Sequence, residues 1–155
     1  MQKEFMQEAI QLSAENIQKN LWWPFGAVIV KDWKVVGRWA NNVTTQNDPT
    51  AHAEVQAIRD ACKNLDTFDL HGCELYTSCE PCPMCYSATY RARIEKIYYG
   101  NTEKDAADIG FDDAAIRQDV KNDIKNKHIP TTQCCREDAI KVFQSWAEKE
   151  DRIDY

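Results

Sequence analysis

Two short segments constrain this chain more than anything else in its 155 residues. The first is Pro49-Thr50-Ala51-His52-Ala53-Glu54. The second is Ser78-Cys79-Glu80-Pro81-Cys82-Pro83-Met84-Cys85. Together they offer an imidazole and two thiols, a donor set that zinc takes in tetrahedral geometry. His52, Cys82 and Cys85 make three ligands, and no obvious fourth stands beside them. Three ligands leave one corner for water, the pattern of a catalytic site, whereas a structural zinc is closed by four. Zinc lowers the pKa of bound water to about 7, and the carboxylate of Glu54 is placed to collect the proton released.

The spacing has local consequences. Cys82 and Cys85 are three apart and share a face of a helix. Pro81 and Pro83 suit a helix start, where a missing N–H costs little, and a helix N-terminus favours thiolate over thiol. His52 and Glu54 are two apart and do not share a helix face. They converge only if the reacting atoms lie beyond the helix end, toward which side chains lean. Asp48 as N-cap and Pro49 as first helical residue are expected to supply that end. Taken singly, a His-x-Glu carries no information, and a Cys-x-x-Cys also serves redox chemistry. Cys79 and Cys82 form a second such pair, so a redox protein stays open at this point, as does a non-catalytic zinc module.

The chain is long enough for one domain with its own core. With 25 acidic and 19 basic side chains its formal charge is −6, which disfavours nucleic acid as a partner and suits a small neutral substrate. Seven cysteines is an odd count. With no signal-peptide pattern after Met1, they read as reduced thiols in a cytoplasmic protein. No apolar run approaches the ~20 residues of a membrane span.

Along the chain, residues 2–19 read as a helix on one face of a sheet, with Met6, Ala9, Ile10, Ser13, Ala14 and Ile17 as the apolar stripe. Residues 25–30 and 35–40 read as an antiparallel hairpin turning at 31–34. A helix from Pro49 presents Ala51, Val55, Ile58, Cys62 and Leu65, and Cys62 is simple packing. Residues 73–77 and 97–100 are strands, separated by a helix from Pro81 to about Arg93, so crossovers follow the hairpin. Residues 104–119 are helical in part, with a bend at 109–113. Residues 122–132 are polar, and Ile129-Pro130 starts a short strand. Residues 136–150 make an amphipathic helix through Ala139, Ile140, Phe143, Trp146 and Ala147. The vicinal Cys134-Cys135 pair has no assigned role.

His-x-Glu followed by Pro-Cys-x-x-Cys is the mark of zinc deaminases acting on nucleobases. Over its whole length the chain resembles the bacterial guanine deaminases, of cytidine-deaminase-like fold. The resemblance is carried by residues 24–30, Asn41-Asn42-Val43-Thr44-Thr45, residues 47–54, residues 78–85, Gly110-Phe111-Asp112-Asp113 and the terminal Tyr155. The zinc motif is shared with deaminases of cytidine and of tRNA adenosine. The Gly-Phe-Asp-Asp segment and the final tyrosine are narrower and look like the guanine branch.

The resemblance implies an α/β three-layer αβα sandwich around a mixed sheet of about five strands, built as a single domain over 1–155. It implies one zinc per subunit, whose hydroxide attacks C2 of guanine while Glu54 shuttles protons, giving xanthine and ammonia. Phe25 would stack on the purine, Asn42 and the Ala53 backbone would bond the ring, and Asp113 would contact the exocyclic amine. Taken by itself, Phe25 reads as core and Asp113 as a solvated acid. The family also implies a homodimer that exchanges residues 136–155, so that Tyr155 closes the partner's site. One departure stands out. Arg91 occupies a place where the family commonly has a pocket tryptophan, which Trp22 or Trp23 would have to replace. Related guanosine deaminases also lack it, so guanosine, or a related aminopurine or aminotriazine, is the alternative substrate. A tRNA adenosine deaminase would be more basic.

Overall fold

The computed structural model describes residues 3–21 and 23–153. Its elements are α1 (Lys3–Gln18), β1 (Gly26–Lys31), β2 (Lys34–Ala40), α2 (Val43–Gln46), α3 (Ala53–Leu65), β3 (Cys73–Cys79), α4 (Pro83–Arg91), β4 (Lys96–Asn101), α5 (Glu103–Asp108), α6 (Ala114–Lys121) and α7 (Arg136–Ala147). They fall into two compact units, residues 1–117 and residues 118–155.

The first unit is built on a sheet in the order β2-β1-β3-β4. β1 pairs antiparallel with both β2 and β3, and β3 runs parallel to β4, so the sheet is mixed as expected. It has four strands among the described residues rather than about five. The short strand expected at Ile129-Pro130 does not form. Proline has no N–H to give a ladder, and residues 127–128 instead turn back, with Lys127 Nζ on the Asp119 and Val120 carbonyls and the His128 N–H on Asp119.

Alternation along the strands divides the core in two. Ala27, Ile29, Cys73 and Leu75 face α3, where Ala53, Ala57 and Ala61 meet them. Val28, Val30 and Tyr76 face the other way, toward Phe5 of α1. Helix, sheet and helix make the three-layer sandwich. Two glycines let the layers close. A Cβ on Gly37 of β2 would sit 2.4 Å from the Ala57 carbonyl oxygen, and one on Gly26 of β1 would sit 2.4 Å from that of Ala9.

The buried stripe of α1 is rotated from the expected one. Phe5, Ala9 and Asn16 are buried, whereas Ile10 and Ile17 are exposed. The face departs from the apolar periodicity because one buried position is a polar asparagine. The amide of Asn16 donates to the carbonyls of Trp23 (2.8 Å) and Asn41 (2.9 Å). This fastens the chain entering β1 to the chain leaving β2.

Register then gathers the functional segments at one end of the sheet. Ala27 lies opposite Thr77, Gly26 opposite Ala40, and Cys79 opposite Asn101. The residues just before β1, just after β2, just after β3 and just after β4 therefore meet beyond the C-terminal end of β3, where α/β folds keep their ligand sites.

The second unit holds the end of α6, a 3-10 turn at Ile124–Asn126, and α7. Val142, Phe143 and Trp146 of α7 are exposed. No described helix is long and apolar enough to cross a membrane.

Candidate active site

The helix starts differ from the expected ones, and the difference builds the site. α3 begins at Ala53 with His52 as N-cap (φ −66°, ψ 153°), not at Pro49 with Asp48 as cap. Asp48 instead closes a local turn, accepting from the N–H (2.8 Å) and hydroxyl (2.6 Å) of Thr50. His52 is thus extended while Glu54 sits in the first helical turn. That kink in backbone direction lets side chains two apart converge. α4 begins at Pro83, with Cys82 as N-cap, rather than at Pro81. The Cys82 sulfur accepts from the Cys85 N–H at 3.4 Å, so one ligand caps the helix that carries the other.

The donor atoms of His52, Cys82 and Cys85 all lie within 4.8 Å of one another. His52 Nδ1 is 3.6 Å from Cys82 Sγ and 3.5 Å from Cys85 Sγ. Zinc–nitrogen and zinc–sulfur bonds of about 2.0 and 2.3 Å across a tetrahedral angle put their ends about 3.5 Å apart. The residues present fit one zinc ion. The hydrogen bond from Cys85 is the first influence holding Cys82 down to about 4, despite its burial. Its own bond to Cys82, then burial, push Cys85 up. The bond to Cys82 raises His52.

Glu54 is only 7% exposed, with its Oε2 3.5 Å from Cys85 Sγ. Burial raises its pKa, so it holds a proton more readily than an ordinary glutamate. Cys79 is not part of the triad: its sulfur meets the Thr102 carbonyl at 3.7 Å, and burial pushes its thiol up to about 11. The Cys79 sulfur is thus engaged with a backbone carbonyl while that of Cys82 meets His52 and Cys85, so the geometry favours the metal reading over a Cys79–Cys82 redox pair.

A cavity of about 280 Å³ opens beside the triad. Phe25, His52, Glu54, Cys82 and Asp113 line it. Burial raises the pKa of Asp113. Phe25 is both core and pocket, since it also packs against the α3-side core. Its ring meets Phe111 edge-on at 5.0 Å, and Trp23 meets the same ring at 5.5 Å. Trp23, one of the two tryptophans offered in place of the family's pocket tryptophan, lines the cavity, as do Phe111, Glu103 and Arg117, which are not site residues in the sequence reading. An aromatic spacing of this kind does not reveal itself before folding; only the Gly-Phe-Asp-Asp segment pointed near it.

Asn42 and Ala53 are not among the lining residues. Asn42 is held at the same end of the sheet by its N–H to the Ala51 carbonyl, 2.9 Å. Ala53 is buried at the first position of α3, where a backbone N–H has no intrahelical acceptor. Arg91 ends α4, about 13 Å along the axis from Cys82 at the usual helical rise, and is not a lining residue. Trp22 and Tyr155 lie outside the described residues.

A His-Cys-Cys metal triad beside a buried carboxylate, at the strand ends of an αβα sandwich, defines a zinc-dependent hydrolase that removes amines. The chain belongs to the family described by the cytidine and deoxycytidylate deaminase zinc-binding region, which matches residues 1–101. It is similar to the guanine deaminase of Bacillus subtilis, with 44% identity over 97% of both chains. The crystal structure of that guanine deaminase superposes with a TM-score of 0.95 at 43% identity, over 100% of this chain and 99% of the other. The tRNA-specific adenosine deaminase of Aquifex aeolicus is 47% identical, but over only 52% of this chain and 54% of its own.

Proposed function

We propose that this enzyme hydrolyses guanine to xanthine and ammonia. The observation that carries the reading is the cavity itself. Three aromatic rings, Trp23, Phe25 and Phe111, stand in one space with His52 and Cys82 of the zinc triad, Glu54 and Asp113. Its volume is at the low end for small-molecule sites, which suits a free base. The near-full-length likeness to a guanine deaminase supports the same substrate.

Bound zinc supplies an acidified water as the nucleophile near neutral pH. Phe25 offers an aromatic face to the purine. Asp113 accepts from the exocyclic amine, while the Ala53 N–H and Asn42, which lie outside the cavity lining, are given the ring edge by the family resemblance alone. Glu54 takes the water's proton at its carboxylate and passes it to the ring nitrogen beside C2 as the new C–O bond forms. A second proton moves through Glu54 to the amine. The C2–N bond then breaks, ammonia leaves and a carbonyl remains.

The enzyme is further inferred to work as a homodimer that exchanges residues 136–155, both units serving one deaminase domain. The support is exposed apolar surface on each unit. Phe143 is 72% exposed on α7, and Tyr86, Tyr90 and Tyr99 are exposed on α4 and β4. The edge of β4 is also free of a further strand among the described residues. A monomer in solution with full activity would end that reading.

The substrate is tested by ammonia release from zinc-loaded protein, with guanine and guanosine side by side. Release from guanine is expected. Release from guanosine alone would retain the zinc site and Glu54 and change the substrate.

A further inference from the structure

We propose that Arg117 is a positioning residue that holds the Asp113 wall of the cavity against the metal end. The inference rests on Asp113 facing the substrate, as proposed above. Two chain segments that share no strand or helix, the 80–81 loop and the start of α5, converge on one guanidinium carried by a third. Arg117 Nη2 donates to the Pro81 carbonyl at 3.1 Å, one residue before the ligand Cys82. Its Nε lies 2.6 Å from Glu103 Oε2 at the start of α5, and Nη2 is 3.8 Å from Glu80 Oε1 after β3. Glu80 in turn accepts from the Glu103 N–H at 3.1 Å. Arg117 itself lies one turn into α6, its N–H on the Asp113 carbonyl at 2.9 Å.

The planar guanidinium explains the arrangement. It presents several donors in a fixed fork and keeps its charge at any working pH. Here one arm donates to the loop carrying Cys82 and the cation pairs with Glu103, which ties that loop to the helix preceded by Asp113. It also separates two carboxylates. Glu80 and Glu103 are already joined through the 3.1 Å backbone contact, so without the cation two like charges would face each other beside the cavity. Their repulsion would push α5 and the 110–113 segment outward, carrying Asp113 and Phe111 with them. Arg117 touches none of the three metal donors in the described contacts, so its loss should move substrate contacts while leaving the zinc in place.

The test uses the full-length, zinc-loaded enzyme with guanine. Arg117→Gln is expected to raise KM about tenfold or more, with kcat within about threefold, because the lost contact acts on binding geometry. Zinc content stays at one per chain. Adding Glu103→Gln to Arg117→Gln removes the unpaired charge and should recover much of the KM. An unchanged KM in Arg117→Gln, no recovery in the double variant, or loss of zinc in step with activity would each overturn the proposal. If Arg117→Gln does not fold, Arg117→Lys provides the test. It retains the charge without the fork and should give an intermediate rise in KM, and an unaltered KM there would equally overturn the proposal. Wild-type enzyme silent on guanine would instead sink the substrate reading, not the role of Arg117.

Discussion

The Cys85 sulfur lies 3.5 Å from Glu54 Oε2, and the thiol donates to the carboxylate. A metal ligand and the proposed proton carrier are thus in direct contact. When Cys85 ionises to bind metal it can no longer donate, and a thiolate then faces a buried acid. Burial raises the Glu54 pKa, and a zinc ion held by the triad would balance the thiolate charge beside it. The carboxyl is therefore suited to hold a proton between two transfers, as a shuttle must.

Removing a ligand tests the metal assignment. His52→Ala and Cys85→Ala should each lose zinc after dialysis, because two donors cannot hold an open three-ligand site. The stabilisation that added zinc gives the wild type should vanish in both. Metal analysis and melting with and without zinc check this, and full occupancy in either variant would contradict it.

Asp113 gives a pH-dependent stability prediction. Its folded pKa is raised above 3.8, first by burial. Ionising it therefore destabilises the fold at pH values above its folded pKa, and the penalty disappears below the unfolded value. Asp113→Asn should raise Tm at pH 7 and lose that advantage as the pH falls below about 4. The same change should raise KM for guanine. A lower Tm at neutral pH would show that Asp113 makes a stabilising contact instead.

Much of this was legible in the chain, for a physical reason. Zinc demands particular donors at particular spacings, so residues 49–54 and 78–85 announced the centre before any fold was known. The four observed strands and the helix around them followed from periodicity. The buried face of α1 was not legible, because its key position is Asn16, whose value lies in two carbonyls from distant segments. Nor was the start of α3, since Asp48 serves a turn as readily as a helix cap. Arg117 looked like any surface cation. Its three partners at positions 80, 81 and 103 come together only through the β3–β4 register.

The cavity lining carries Glu54, Glu80, Glu103, Asp112 and Asp113 against one arginine, Arg117. A phosphate should be repelled there. Guanosine monophosphate is expected to inhibit at least about 100-fold more weakly than guanosine, since like-charge juxtaposition costs several kcal/mol. The gap should narrow at high salt. Equal inhibition by the two would contradict this account of the lining.

The β1–β2 hairpin stores strain at an exposed site. Lys31 pairs with Lys34, leaving the two-residue turn Asp32-Trp33, with φ of 49° and 64°. Both signs match the turn favoured in hairpins, where Asn-Gly is preferred. Trp33 is 73% exposed, so little packing is lost with it. Trp33→Gly should stabilise the protein by about 1 kcal/mol, read as a higher urea midpoint. A lower midpoint would mean the tryptophan makes contacts that outweigh the strain.

The most direct test of the central claim is Glu54→Gln, measured for zinc content and guanine turnover on the same sample. Glutamine retains the shape and removes the titrating group. One zinc per chain and a kcat reduced at least about 100-fold, the scale of a lost general acid–base, are expected. Zinc retained with turnover close to wild type would contradict Glu54 as the proton shuttle.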